Sequence, residues 1–141
     1  MTLKSAPGRA LVKQALPKVL RRHAIDYCVA NAENLAGGNG VTRELAEELL
    51  SLGVNCLTSG NHIWDKREIM SVMDSMPQLL RPANYPAGQP GRGFHIGKSR
   101  TGVKVGTLNL SGRVFMNGSI DDPFTLGRKI AEELRLPPQD S

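Results

Sequence analysis

Aromatic side chains are scarce in this 141-residue chain, at 4% of the sequence, which argues against a stacking platform for single-stranded nucleic acid. Only two cysteines occur, Cys28 and Cys56. Each lies inside an apolar run without a close-spaced partner, so both read as buried free thiols of a reducing compartment, not as a zinc knuckle or disulfide framework. No stretch approaches the roughly 18 apolar residues of a membrane span, and the amino terminus lacks the apolar core of a signal peptide. A cytoplasmic location without a membrane partner is therefore expected. Also absent are a Walker loop, a dinucleotide-binding glycine fingerprint, a nucleophile elbow and a paired-cysteine metal motif.

What is present is ordinary for a folded protein: 40% hydrophobic and 22% charged residues, enough for one domain over 1–141. The net charge of +5 and a pI of 9.6 favour anionic ligands in general. The basic residues are scattered apart from Lys18, Arg21, Arg22 and His23, which stand where a helix carboxyl end welcomes positive charge. With no basic stripe, nucleic acid ranks last among the partners considered.

Helix-spaced Ala10, Leu11, Ala15, Val19 and Leu20 predict helix over 7–23, broken or restarted at Pro17. A strand covered on both faces is expected at 25–30, followed by the glycine-rich loop Leu35-Ala36-Gly37-Gly38-Asn39-Gly40. Thr42 caps the next helix, Leu45, Leu49 and Leu52 form its buried stripe, and Gly53 ends it. A strand at 54–58 completes a right-handed parallel crossover. Asp65 and Glu68 have capping-box spacing for a further helix, with Ile69, Val72, Met73 and Met76 as its stripe and Pro77 as its end. The methionines read as core filler. A short extended piece at 79–84, a hairpin of 94–97 with 103–110, and a last helix at 124–135 closed by Pro137-Pro138 make the class α/β with a mixed β-sheet.

Neighbouring strands thus end in Asn31-Ala32-Glu33-Asn34 and Gly60-Asn61-His62, and open α/β sheets present their chemistry at the carboxyl ends of strands. These tips gather a carboxylate, amide oxygens and an imidazole. Such donors suit hard or borderline divalent metals, a metal pair can clamp a phosphate while activating water, and His62 can serve as general acid. The plain alternative is that Asn61 merely suits a tight turn and His62 packs beside Trp64. His23 and His95 read as structural or surface residues.

Four ordered blocks add to this: Asn31-Ala32-Glu33-Asn34-Leu35-Ala36-Gly37-Gly38-Asn39-Gly40, Gly60-Asn61-His62-Ile63-Trp64-Asp65-Lys66, Leu80-Arg81-Pro82-Ala83-Asn84-Tyr85-Pro86 and Gly112-Arg113-Val114-Phe115-Met116. In this order they resemble a bacterial family of calcineurin-like metallophosphoesterases, whose members are similar to phosphodiesterases acting on cyclic nucleotides. The resemblance implies Glu33, Asn34 and Asn61 as metal ligands and His62 as the proton donor. It also implies a four-layer α/β/β/α sandwich, two divalent metal ions (iron or manganese), and a phosphodiester or cyclic-nucleotide substrate. Arg81 and Arg113 are candidates for phosphate binding on charge alone, with outward ion pairs as the alternative.

The departures carry equal weight. The family opens with an apolar strand ending in Gly-Asp, where this chain has Met1-Thr2-Leu3-Lys4-Ser5, and it closes its site with a histidine and a His-x-His pair that this chain does not contain. Ala32 stands where glycine is usual. One carboxylate and two amides are too few for two metals that take roughly four to six ligands each. An incomplete sandwich is therefore expected, an inactive fragment or degraded copy whose open sheet edges and apolar surface favour a homo-oligomer. The competing expectation is a non-catalytic α/β module that binds a nucleotide or another protein.

Overall fold

The computed structural model of the chain describes residues 6–116 and 118–135. Helix α1, Ala6–Arg22, runs through Pro17 without a break. The proline removes one backbone hydrogen bond, yet Val12 and Leu16 just before it pack against the core and Leu20 lies against Gly53. Those contacts on both sides of Pro17 hold one continuous helix where an interruption is expected, and Arg21 and Arg22 occupy its last turn.

Strands β1, Val29–Asn31, and β2, Cys56–Thr58, pair in parallel with Val29 opposite Cys56 and Asn31 opposite Thr58. Helix α2, Arg43–Ser51, makes the crossover between them. Thr42 caps it as predicted, its hydroxyl accepting from the Leu45 N–H at 3.4 Å. Gly53 follows at φ +102°, in the left-handed region that lets the chain turn back. Strand β1 is shorter than expected and is not covered on both faces: Val29 is 46% exposed. Strand β2 is the buried one, with Cys56 and Leu57 fully enclosed. Both cysteines are free, and burial pushes each thiol above its ordinary pKa.

The piece at 79–84 pairs through single parallel bridges, Leu57 to Leu79 and Leu80 to Arg92. Beyond it, β3, Phe94–Lys98, and β4, Lys104–Leu108, form the expected antiparallel hairpin. The Asn109 N–H donates to Gly93 O at 2.9 Å and the Ala83 N–H to Asn109 O at 2.8 Å, which fastens the hairpin to the parallel part. The architecture is α/β, with small parallel and antiparallel sheets.

The segment 65–76 departs most from expectation. In place of one helix there are two short 3₁₀ turns, Arg67–Ser71 and Met73–Ser75, preceded by another at Asn61–Trp64. The Asp65 carboxylate is held by His62 and caps nothing, and Lys66 is extended at φ −105°, ψ 104°. Ile69, Val72, Met73 and Met76 are nonetheless all buried. They join Leu35, Leu49, Leu57 and Leu79 in one apolar cluster, each full burial contributing about 1.5–3 kcal/mol.

Helix α3, Pro123–Glu133, starts at Asp122, whose carboxylate accepts from the Thr125 N–H at 2.9 Å, and no residue of the helix is buried. The expected stop at Pro137-Pro138 and the segment Met1-Thr2-Leu3-Lys4-Ser5 lie outside the described residues. Among the described residues no helix is long and apolar enough to cross a membrane.

Candidate active site at the carboxyl ends of β1 and β2

Parallel pairing continues one step past the strands, because the Ala32 N–H donates to Thr58 O at 2.8 Å. Both tips therefore emerge together. On the first, the Asn31 side-chain oxygen accepts from the Glu33 N–H at 2.8 Å, a local Asx turn. The loop then closes on itself: the Gly40 N–H donates to Glu33 O at 2.7 Å and the Ala36 N–H to Gly40 O at 2.9 Å. Gly40 has φ +75°, and a β-carbon on it would lie 3.0 Å from His62 O, so the loop rests on the second tip.

The second tip is anchored from below. The Ser59 hydroxyl donates to Leu80 O at 2.7 Å, and the buried Asn109 amide donates to Ser59 O at 2.8 Å and Leu80 O at 3.2 Å. Gly60 faces the Glu33 carboxylate so closely that a β-carbon there would overlap it. Glu33 and the Gly60 turn are thus in contact, as the two-tip reading predicts. Asn34 and Asn61 each follow one residue beyond that contact, the first half-buried and the second exposed.

His62 stands on the 3₁₀ turn with its side chain 36% exposed, and its Nδ1 pairs with Asp65 Oδ2 at 2.8 Å. That pairing leaves Nε2 as the ring nitrogen open to a ligand. Asp65 is the partner that sequence reasoning missed, having assigned it to a helix cap. The signal was its spacing, since residues three apart eclipse one another in a 3₁₀ turn. Tyr85 is the other missed neighbour. Burial raises its hydroxyl pKa, a Ser111 hydrogen bond opposes this, and the negative charge of Glu33 adds to the rise. A cleft of about 400 Å³ begins at Asn61 and is walled by Trp64, Tyr85, Gln89 and Phe115.

The structure places Arg81 in neither expected role. Its Nε donates to Pro90 O at 3.2 Å and its Nη1 to Pro82 O at 2.9 Å, so the guanidinium braces loop carbonyls, and burial lowers its pKa. Arg113 is exposed. Asp122 sits below the ordinary carboxyl range because of the Thr125 hydrogen bonds, with the Arg113 charge a lesser cause. His95 lies in β3 and His23 beyond α1, both apart from these tips. Among the described residues no group of three His, Cys, Asp or Glu side chains converges to hold a metal ion.

Known proteins are similar to this chain in sequence and in fold. The chain is 38% identical over 128 residues to a Bacillus subtilis protein named 2',3'-cyclic-nucleotide 2'-phosphodiesterase, covering 91% of this chain and 48% of that protein. Its fold matches the crystal structure of a hypothetical protein from Thermus thermophilus at a TM-score of 0.80 and 35% identity, covering 91% of this chain and 49% of the other. A structure described as a novel phosphatase, from Mycoplasma pneumoniae, matches at 0.78 and 26% identity, covering 89% and 46%. The chain spans about half the length of the curated relatives it matches. Residues 3–140 match the family described as YmdB-like protein, and the chain belongs to that family.

Proposed function

We propose that this chain carries part of the active site of a metal-dependent phosphoesterase that cleaves phosphodiesters, with cyclic nucleotides as the substrate class. The observation that carries the reading is the contact between the Glu33 carboxylate and the Gly60 turn, with the His62–Asp65 pair beside it. Parallel pairing and a glycine that leaves room for a carboxylate bring together residues far apart in sequence. The Bacillus relative's name supports the substrate class.

In this reading His62 hands a proton from Nε2 to the departing alkoxide, and Asp65 holds the ring in that orientation. Glu33, Asn34 and Asn61 are the chain's donors toward divalent iron or manganese. On their own they do not suit two such ions, because they supply one carboxylate and two neutral amides against roughly four to six ligands per ion. Hydrolysis is therefore assigned to a complete site, within the four-layer α/β/β/α sandwich, and this chain alone is an inactive part of it. The exposed apolar surface gives self-association as a property of the isolated chain. A cytoplasmic location follows from the free thiols.

The test joins this chain to the remaining portion of the Bacillus relative and measures hydrolysis with manganese present. The isolated chain should leave bis-p-nitrophenyl phosphate intact while the joined protein cleaves it. His62→Ala in the joined protein should slow cleavage of a 2',3'-cyclic nucleotide about 10²- to 10⁴-fold, the usual range for a general acid. The loss should be much smaller for bis-p-nitrophenyl phosphate, whose leaving group needs no proton. Equal losses on both substrates would remove the acid role, and an inactive joined protein would favour the non-catalytic binding module.

A further inference from the structure

Beside the tips lies the cleft that the phosphoesterase chemistry does not use. We propose that this cleft, walled by Trp64, Tyr85, Gln89 and Phe115, is a nucleobase subsite; the proposal rests on the phosphodiesterase reading of the neighbouring tips. Asn61 belongs to both places. A nucleotide whose phosphate lies at the tips would therefore direct its base into the cleft, whose volume of about 400 Å³ lies within the range of small-molecule sites.

Two features of the wall point to a flat, polar-edged ligand. The first is Phe115, a non-glycine residue held at φ +60° with its side chain 102% exposed. A backbone conformation that disfavours L-residues, combined with full exposure of an aromatic ring, gains nothing from internal packing. Phe115 lines the cleft with its ring free to stack on a ligand, and base–aromatic stacking is tolerant of base identity. The low aromatic content that speaks against a platform for a long single strand is no obstacle to one base on one ring.

The second feature is two unsatisfied groups on cleft residues. Trp64 Nε1, a donor, and Gln89 Oε1, an acceptor, are both buried without a hydrogen-bond partner among the described residues; both residues line this cleft, and each atom reaches it only after a turn of its side chain. Buried polar atoms in native structures are nearly always partnered. A nucleobase edge offers ring-nitrogen acceptors next to exocyclic donors, the complement of these two groups once the side chains turn toward it. A sugar phosphate could hydrogen-bond to these groups through its hydroxyls but would leave the aromatic ring unstacked.

The chain contains a single tryptophan, so its one indole N–H resonance reports on the cleft directly. The isolated chain, without metal, is titrated by NMR with adenosine, with uridine and with ribose 5-phosphate. Saturable downfield movement of the indole resonance is expected with the nucleosides and not with ribose 5-phosphate. Phe115→Ala should weaken adenosine binding about fivefold or more, the low end of a base-stacking contribution. That substitution removes a wholly exposed side chain, and an unchanged backbone spectrum verifies the fold. Gln89→Leu should change the ratio of adenosine to uridine affinity. An unmoved indole signal, equal movement with ribose 5-phosphate, or full affinity in Phe115→Ala each overturns the subsite. Failure of hydrolysis in the joined protein bears on the phosphoesterase reading, whereas nucleoside binding by the isolated chain is read separately.

Discussion

Gly60 shows how much a single missing β-carbon can decide. Its backbone, at φ −140° and ψ −145°, imposes no left-handed turn, so the requirement for glycine comes from the Glu33 carboxylate lying against it. Gly60→Ala should therefore displace the Glu33 carboxylate, and because that is the far end of a flexible side chain the cost in urea unfolding should stay below about 1 kcal/mol, less than for overpacking a rigid core. In the joined protein it should also cut hydrolysis, whereas Gly106→Ala, in open space and without a left-handed φ, should leave hydrolysis unchanged. His95 makes a different point. Burial first, and the Arg92 charge second, hold its pKa below the ordinary 6.5, so the folded state favours its neutral form more than the unfolded chain does. The unfolded chain then binds more protons than the folded one as pH falls through 6.5, and stability is lost on that side. Equilibrium unfolding at about pH 7 and about pH 5 should show a smaller drop for His95→Gln than for the parent protein, and an equal drop would place the acid sensitivity elsewhere.

At the scale of elements, the fold depends on buried amides that bind loop to loop. Asn109 joins the end of β2 to residue 80 through its side chain, beside the Ser59 hydroxyl that makes the same link, and joins the hairpin to residue 83 through its backbone. Asn84 does the same for residues 111 and 121. Asn109→Ala should cost about 1–3 kcal/mol, because it leaves buried carbonyls short of a donor; a change below about 0.5 kcal/mol in chemical denaturation would show that solvent fills the gap. Neither amide stood out in the sequence, since an asparagine in an apolar run is legible as a turn former but not as a clamp between distant segments. Periodicity and local chemistry revealed much else: α2 with its Thr42 cap and Gly53 stop, the β3–β4 hairpin, and the common edge of the two polar tips. They failed at 65–76, where the buried positions were correctly read but the helix was not, because the His62 side chain takes the carboxylate that a cap would need. Pro17 misled for the opposite reason, since packing from neighbouring turns outweighs one lost hydrogen bond.

The molecule as a whole leaves apolar surface without cover. Phe94 and Ile96, two apart on β3 and so on the same face, are 39% and 41% exposed, Phe124 on α3 is 82% exposed, and α3 buries none of its residues. A chain about half as long as its relatives would show such surface wherever the rest of the domain packs in them. In isolation that surface meets only water or another copy. Copies carrying a charge of +5 repel one another, so two forces oppose and salt tells them apart. Screening shortens the reach of the charges to about 8 Å at about 0.15 M ionic strength and leaves apolar attraction intact. Sedimentation equilibrium should give an average mass that rises above 15.3 kDa with protein concentration, and more steeply with added sodium sulfate, which strengthens apolar burial. Replacing Phe94 and Ile96 together, as Phe94→Glu with Ile96→Lys, adds no net charge. Any return to the monomer in that variant must therefore come from the lost apolar contact, and association that persists in it would move the contact away from the hairpin.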